Sequence, residues 1–99
     1  MTKQVLEFYK SHHFMMSQWD RKIEDQLLYK VLPFISEVKD NKKLAIITPS
    51  FLSQKGIEVP MKNCLVIVFY HKLLKTAFWC DHPNYLFIKE KGACFQILY

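Results

Sequence analysis

The sequence predicts an α+β domain: an N-terminal helical layer packed on a four- to five-stranded antiparallel sheet. Three observations carry that expectation. Apolar residues Trp19, Ile23, Leu27, Val31, Ile35 and Val38 recur at three- and four-residue spacings, the period of one helical face. Beyond residue 43 the pattern changes to short β-branched and aromatic runs, and residues 64–70 are apolar at every position. With 99 residues, 51% hydrophobic, 23% charged and only two glycines, the chain has the composition of one globular domain, residues 1–99, without long linkers.

The elements follow in order. Residues 3–10 are ambiguous, because Val5, Leu6, Phe8 and Tyr9 fit either a helical face or a short strand. Ser17 and Asp20 have the spacing of a capping box and predict a helix start. Leu28, Leu32 and Phe34 widen its apolar stripe, so cover on more than one side is expected, with Leu28, Tyr29 and Leu32 the flank to test for a helical interface. Pro33 removes a backbone donor and predicts a kink or break near Leu32, at a cost of about 3 kcal/mol in a helix interior. Asp40 and Asn41 supply the stop.

Residues 44–48 read as a short buried strand. Thr48 and Pro49 then read as N-cap and first residue of a brief helix over 50–55, with Gly56 just past its end. Residues 57–59 form an edge piece cut off by Pro60. The run 64–70 is a central strand and 76–80 another. Residues 81–84, Asp-His-Pro-Asn, are a turn by composition. Residues 85–89 and 94–98 are expected as two strands of a hairpin joined through Glu90, Lys91 and Gly92. These strands do not alternate cleanly, and one helical layer cannot hide both faces of the sheet. Either another element or another chain must supply the rest, and a second chain is the expected cover.

Charge is divided unevenly. Residues 1–41 hold six basic and six acidic side chains, whereas residues 42–99 hold eight lysines against three acids, the entire net +5. Lysine dominates, with Arg21 the single arginine, so bidentate reading of guanine edges is not expected. His71, Lys72 and Lys75 lie near Phe78 and Trp79, and Lys89 and Lys91 follow Tyr85 and Phe87. The candidate binding residues are therefore Lys72, Lys75, Trp79, Tyr85, Phe87, Lys89 and Lys91, a basic and aromatic set suited to an acidic partner.

Several chemistries lack a signature. Cys64, Cys80 and Cys94 are odd in number and widely spaced, which reads as buried free thiols rather than a disulfide framework. Cys80-x-His82 is tighter than paired zinc ligands usually stand and has no second pair, so no metal is expected. No phosphate-cradling glycine loop, nucleophile motif or cofactor motif is present, and no cofactor is expected. His71, Lys72, Lys75, His82 and Tyr85 could in principle supply acid, base and cation for metal-free RNA cleavage. The order of helices followed by an antiparallel sheet resembles that of small ribonuclease toxins of the RelE type, in element order alone.

The first fifteen residues lack a continuous apolar segment, and seven apolar residues fall far short of the roughly 20 needed to cross a bilayer. A cytoplasmic protein without a membrane partner is expected. The function expected is a small protein-binding module that occupies an acidic macromolecular surface, an inhibitor or accessory subunit of the kind found on mobile elements. It is expected to be no enzyme, and to work as a homodimer or hetero-complex through the sheet. The alternatives are a nucleic-acid binder of low sequence specificity, with Lys72, Lys75, Lys89 and Lys91 on phosphates and Trp79 or Tyr85 stacking, or the small ribonuclease.

Overall fold

The computed structural model describes residues 4–36, 41–58 and 63–99. The class is α+β, with four α-helices and six strands among the described residues, but the sheet is mixed rather than antiparallel. The ambiguous N-terminal segment resolves into two short strands, β1 (Gln4–Val5) and β2 (Phe8–Lys10). Leu6 between them takes a left-handed backbone, φ 54°, which lets so short a connection reverse the chain.

The first helix, α1 (His12–Arg21), starts six residues before the expected point. Ser11 caps it, its hydroxyl accepting from the Phe14 amide at 3.0 Å. Ser17 lies inside the helix instead, donating to the His13 carbonyl and meeting the Thr76 hydroxyl at 3.0 Å. The helix stops at Lys22, which is left-handed at φ 56° and bonds back to the Gln18 carbonyl. That stop turns Trp19 out of the apolar stripe, 72% exposed, while Ile23, Leu27, Val31 and Ile35 stay in the core. The expected single helix is thus two, with α2 (Asp25–Val31) followed by a 3₁₀ turn (Leu32–Phe34) at Pro33. The stop expected at Asp40, and Val38 before it, lie outside the described residues.

Strand β3 (Lys42–Ile47) leads to α3 (Pro49–Gln54), capped by Thr48 and ending before Gly56, whose φ of +74° suits glycine. Ile57 and Glu58 form no strand, and Val59 and Pro60 lie outside the described residues. β4 (Cys64–Tyr70) is the central strand expected, paired antiparallel with β3 and with β5 (Leu73–Cys80). The ladder slips between Val68 and Phe69, opposite Thr76 and Leu74, which makes Lys75 the extra residue of a β-bulge.

Residues 85–89 are not a strand. They lie within α4 (Asn84–Lys89), and the last strand, β6 (Cys94–Leu98), pairs parallel with β3 at the sheet edge. The strand order β1-β2-β5-β4-β3-β6 explains why. β5 and β6 run in the same direction, so a hairpin cannot join them, and the chain must cross over the sheet. α4 is that crossover.

The two faces of the sheet are covered differently. On one, Ala45, Ile47, Leu65, Ile67, Phe69, Leu74 and Ala77 pack against Phe14, Leu28, Val31, Leu32 and Leu52 from α1, α2, the 3₁₀ turn and α3. On the other, Leu44, Ile46, Cys64, Val66, Val68 and Cys80 gather around Leu86 of α4, with Phe78, Phe95 and Ile97 at the margin. Part of the cover on this face thus comes from the chain itself, through Leu86 of α4.

Two lysines are buried within the sheet. Lys10 on β2 meets Asp25 at 2.5 Å, and Gln18 donates to the same carboxylate oxygen at 2.8 Å, tying β2, α1 and α2 together. Lys43 on β3 donates to the Ser36 carbonyl and hydroxyl. Burial holds its ammonium below the usual lysine pKa, against a smaller upward pull from Cys94.

Candidate binding surface on the crossover helix and the hairpin end

The seven residues proposed from sequence fall into three places. Lys72 and Lys75 sit at the β4–β5 turn, Trp79 near the far end of β5, and Tyr85, Phe87, Lys89 and Lys91 on or just after α4. They do not form one groove.

At the turn, His71 is left-handed at φ 54° and its ring lies edge-on to Tyr70, centroids 4.4 Å apart. Lys72 approaches Glu7 at 3.7 Å between two exposed side chains, a contact that contributes little. The bulge carries Lys75 outward, where its ammonium stands 5.8 Å from the Tyr70 ring centre. This end offers cations and a half-exposed phenol, with Leu73 and Tyr9 also exposed nearby in the pairing register.

Trp79 is committed to structure. Its ring packs against the first-face core and its indole N–H donates to the Arg21 carbonyl at 3.0 Å. The contact satisfies one of the carbonyls at the end of α1. Trp79 also lines an open cleft of about 480 Å³ with Arg21, Lys22, Lys30 and Ile57, which Glu24 and Glu58 offset in charge. Sequence gave no sign of this cleft, since its walls come from three separated segments.

α4 presents an exposed apolar surface. Leu86 points into the sheet, and the six-residue helix leaves Tyr85, Phe87 and Ile88 outside, at 47%, 40% and 72% exposure. Phe87 lies against Phe95 of β6, ring centres 4.6 Å apart. Lys89 ends the helix and Lys91 follows it, and neither forms an ion pair with another described residue. Glu90 between them is held by Lys42 at 2.7 Å, so the local acid is spent on β3. The result is an aromatic and aliphatic patch with two available cations at its rim. Ile88, its most exposed member, was absent from the sequence-based set because a strand reading gave no reason to single it out.

His71 and His82 do not come together. The eight residues of β5 separate them, a span of about 25 Å, so the two cannot share one scissile phosphate. Cys64 and Cys80 are direct partners across β4 and β5 and both are buried. Burial, and then the neighbouring Cys80, raise the Cys64 thiol pKa, the opposite of nucleophile activation. Among the described residues no cluster of three or more His, Cys, Asp or Glu is placed to hold a metal ion. No helix there is long and apolar enough to cross a membrane. Comparison of the chain with protein-family models, with curated proteins and with solved structures finds no match.

Proposed function

We propose that the protein is a small binding module that docks on an acidic protein surface through α4 and the turn after it. One observation carries the reading: Tyr85, Phe87 and Ile88 are exposed together beside Lys89 and Lys91. Interfaces of this kind concentrate their energy in a few aromatic and aliphatic anchors, with charges at the rim setting encounter rate and orientation. In this reading Phe87 and Ile88 are the anchors and the two lysines steer an acidic partner. Action as an inhibitor or accessory subunit follows from occupying that partner.

The test is affinity capture with the wild type and with Ile88→Asp, both checked for unchanged circular dichroism. A partner recovered by the wild type and lost with the variant supports docking through α4. Identical recoveries from both would overturn it.

The second reading places single-stranded nucleic acid at the hairpin end, where Lys75 stands over Tyr70 and Lys72 is nearby. It predicts RNA or DNA binding that falls steeply between about 50 and 200 mM salt, as counterion release requires. Lys75→Ala should reduce the salt slope by about one. Binding that is negligible even at low salt removes this reading and leaves the first.

A further inference from the structure

The two edges of the sheet are finished differently. At one end the sheet tapers through β2 into the two-residue β1, and α1 packs beside β5 past the point where β2 stops. At the other end β6, among the described residues, pairs with β3 alone. Its sequence, Cys-Phe-Gln-Ile-Leu, has no lysine, proline or glycine, and no bulge interrupts its pairing with β3. Edge strands ordinarily carry such features because unpaired N–H and C=O groups recruit other strands. The Gln96 side chain is occupied on the first face, donating to the Phe34 carbonyl and accepting from the Ser36 amide. These bonds engage the Gln96 side chain and leave the backbone groups of β6 out of them.

We infer that β6 is a dimerisation strand, pairing antiparallel with β6 of a second copy of this chain to join the two sheets into one. The register follows from the pleat. Side chains on the same face must meet, so paired residue numbers must share parity. A centre on Gln96 then gives the fullest overlap, with Phe95 opposite Ile97 and Cys94 opposite Leu98 in both directions. Phe95 and Ile97 lie on the α4 face, so an aromatic and β-branched pair forms twice, and the half-exposed Phe87 flanks each. The strand is close to palindromic in character about Gln96, as an isologous two-fold contact requires.

Charge is compatible with this partner although each copy carries +5. Antiparallel pairing sends the two Cys94 residues, and the Lys91 that precedes each, towards opposite ends, with the Cys94 positions about 14 Å apart. That exceeds the screening length of about 8 Å at physiological salt. The inference does not rest on the proposed acidic partner: it uses the backbone edge of β6, and of the α4 surface only Phe87 lies beside it.

Sedimentation equilibrium over a concentration series tests it, with the expected species at twice the chain mass of 11.9 kDa. Ile97→Lys, a charge on the strand, should give a folded monomer. Ile88→Asp should leave the dimer intact, which separates failure here from failure of the α4 reading. Should Ile97→Lys not fold, Leu98→Cys reports the register. Four residues apart on one strand, Cys94 and a cysteine at position 98 cannot bridge within a chain. Under oxidised glutathione, which accepts the two electrons and two protons, a covalent dimer mapping to 94–98 pairs is expected. A monomer at every concentration overturns the inference, and so does a dimer that persists in folded Ile97→Lys.

Discussion

At the residue scale, the two buried lysines make opposite predictions. Lys10 has a carboxylate partner, and its side chain is fully buried against Asp25. Asp25→Ala leaves that ammonium without its counter-charge and should cost about 3–5 kcal/mol, read from the urea midpoint at constant slope. Lys43 has only the neutral oxygens of Ser36 among its hydrogen-bond partners, and burial lowers its pKa from the ordinary 10.5. A depressed folded value means that stability from this site is complete above the unfolded value and is lost as pH falls through the folded one. Lys43→Met should therefore raise the melting temperature at pH 7, and the gain should shrink towards zero as the pH approaches 10.5. A loss of stability at pH 7 would show that the Ser36 bonds outweigh the buried charge. Cys64 adds a reactivity check: with its pKa raised, its alkylation in the native protein should begin at higher pH than in the unfolded chain.

At the element scale, backbone exceptions and single anchors set the predictions. Lys22 ends α1 in a conformation that glycine adopts freely, so Lys22→Gly should stabilise by about 0.5–1 kcal/mol. Leu86 is the one buried residue of α4, and Leu86→Ala should cost about 2–3 kcal/mol while loosening the cover over Cys64 and Cys80. What could be read from sequence at this scale divides by range. Thr48, Pro49 and Gly56 marked α3 correctly because capping acts within a few residues. The apolar run 64–70 marked β4 because burial on both faces writes itself into composition. Ser17 misled because Ser11, also followed by helix-forming residues, was the actual cap. Residues 85–89 misled because Tyr-Leu-Phe-Ile-Lys suits a strand locally. Only the parallel direction of β6, a pairing with residues some fifty positions earlier, requires a crossover there. Of the candidate binding residues, α4 and the turn after it keep Tyr85, Phe87, Lys89 and Lys91 close in the chain, whereas Trp79 stands apart on β5, its indole donating to the Arg21 carbonyl.

At the scale of the whole molecule, the uneven charge gains a location. The neutral N-terminal part supplies most of the cover for one face of the sheet. The basic part supplies the four strands from β3 to β6 and the crossover. The surplus of positive charge thus lies on the part that also carries the edge strand β6 and the exposed face of α4, the two features on which self-association and partner docking are proposed. Salt should weaken encounter with an acidic protein more than it weakens β6 pairing, which rests on backbone bonds and apolar contacts. Measuring both in one salt series would separate them.

The crossover also sets an order in time. β4 and β5 are joined by a two-residue turn and can close as soon as both are made, whereas β6 must find β3 across about fifty residues of intervening chain. Loop closure over that length is slow compared with a tight turn, so the sheet is expected to grow from its centre and to receive β6 last. During synthesis the waiting edge would be that of β3, whose apolar Leu44, Ala45, Ile46 and Ile47 stand open until the final segment arrives. Pulse-labelled hydrogen exchange should find the β4 amides protected first and those of β3 facing β6 protected only when α4 has crossed.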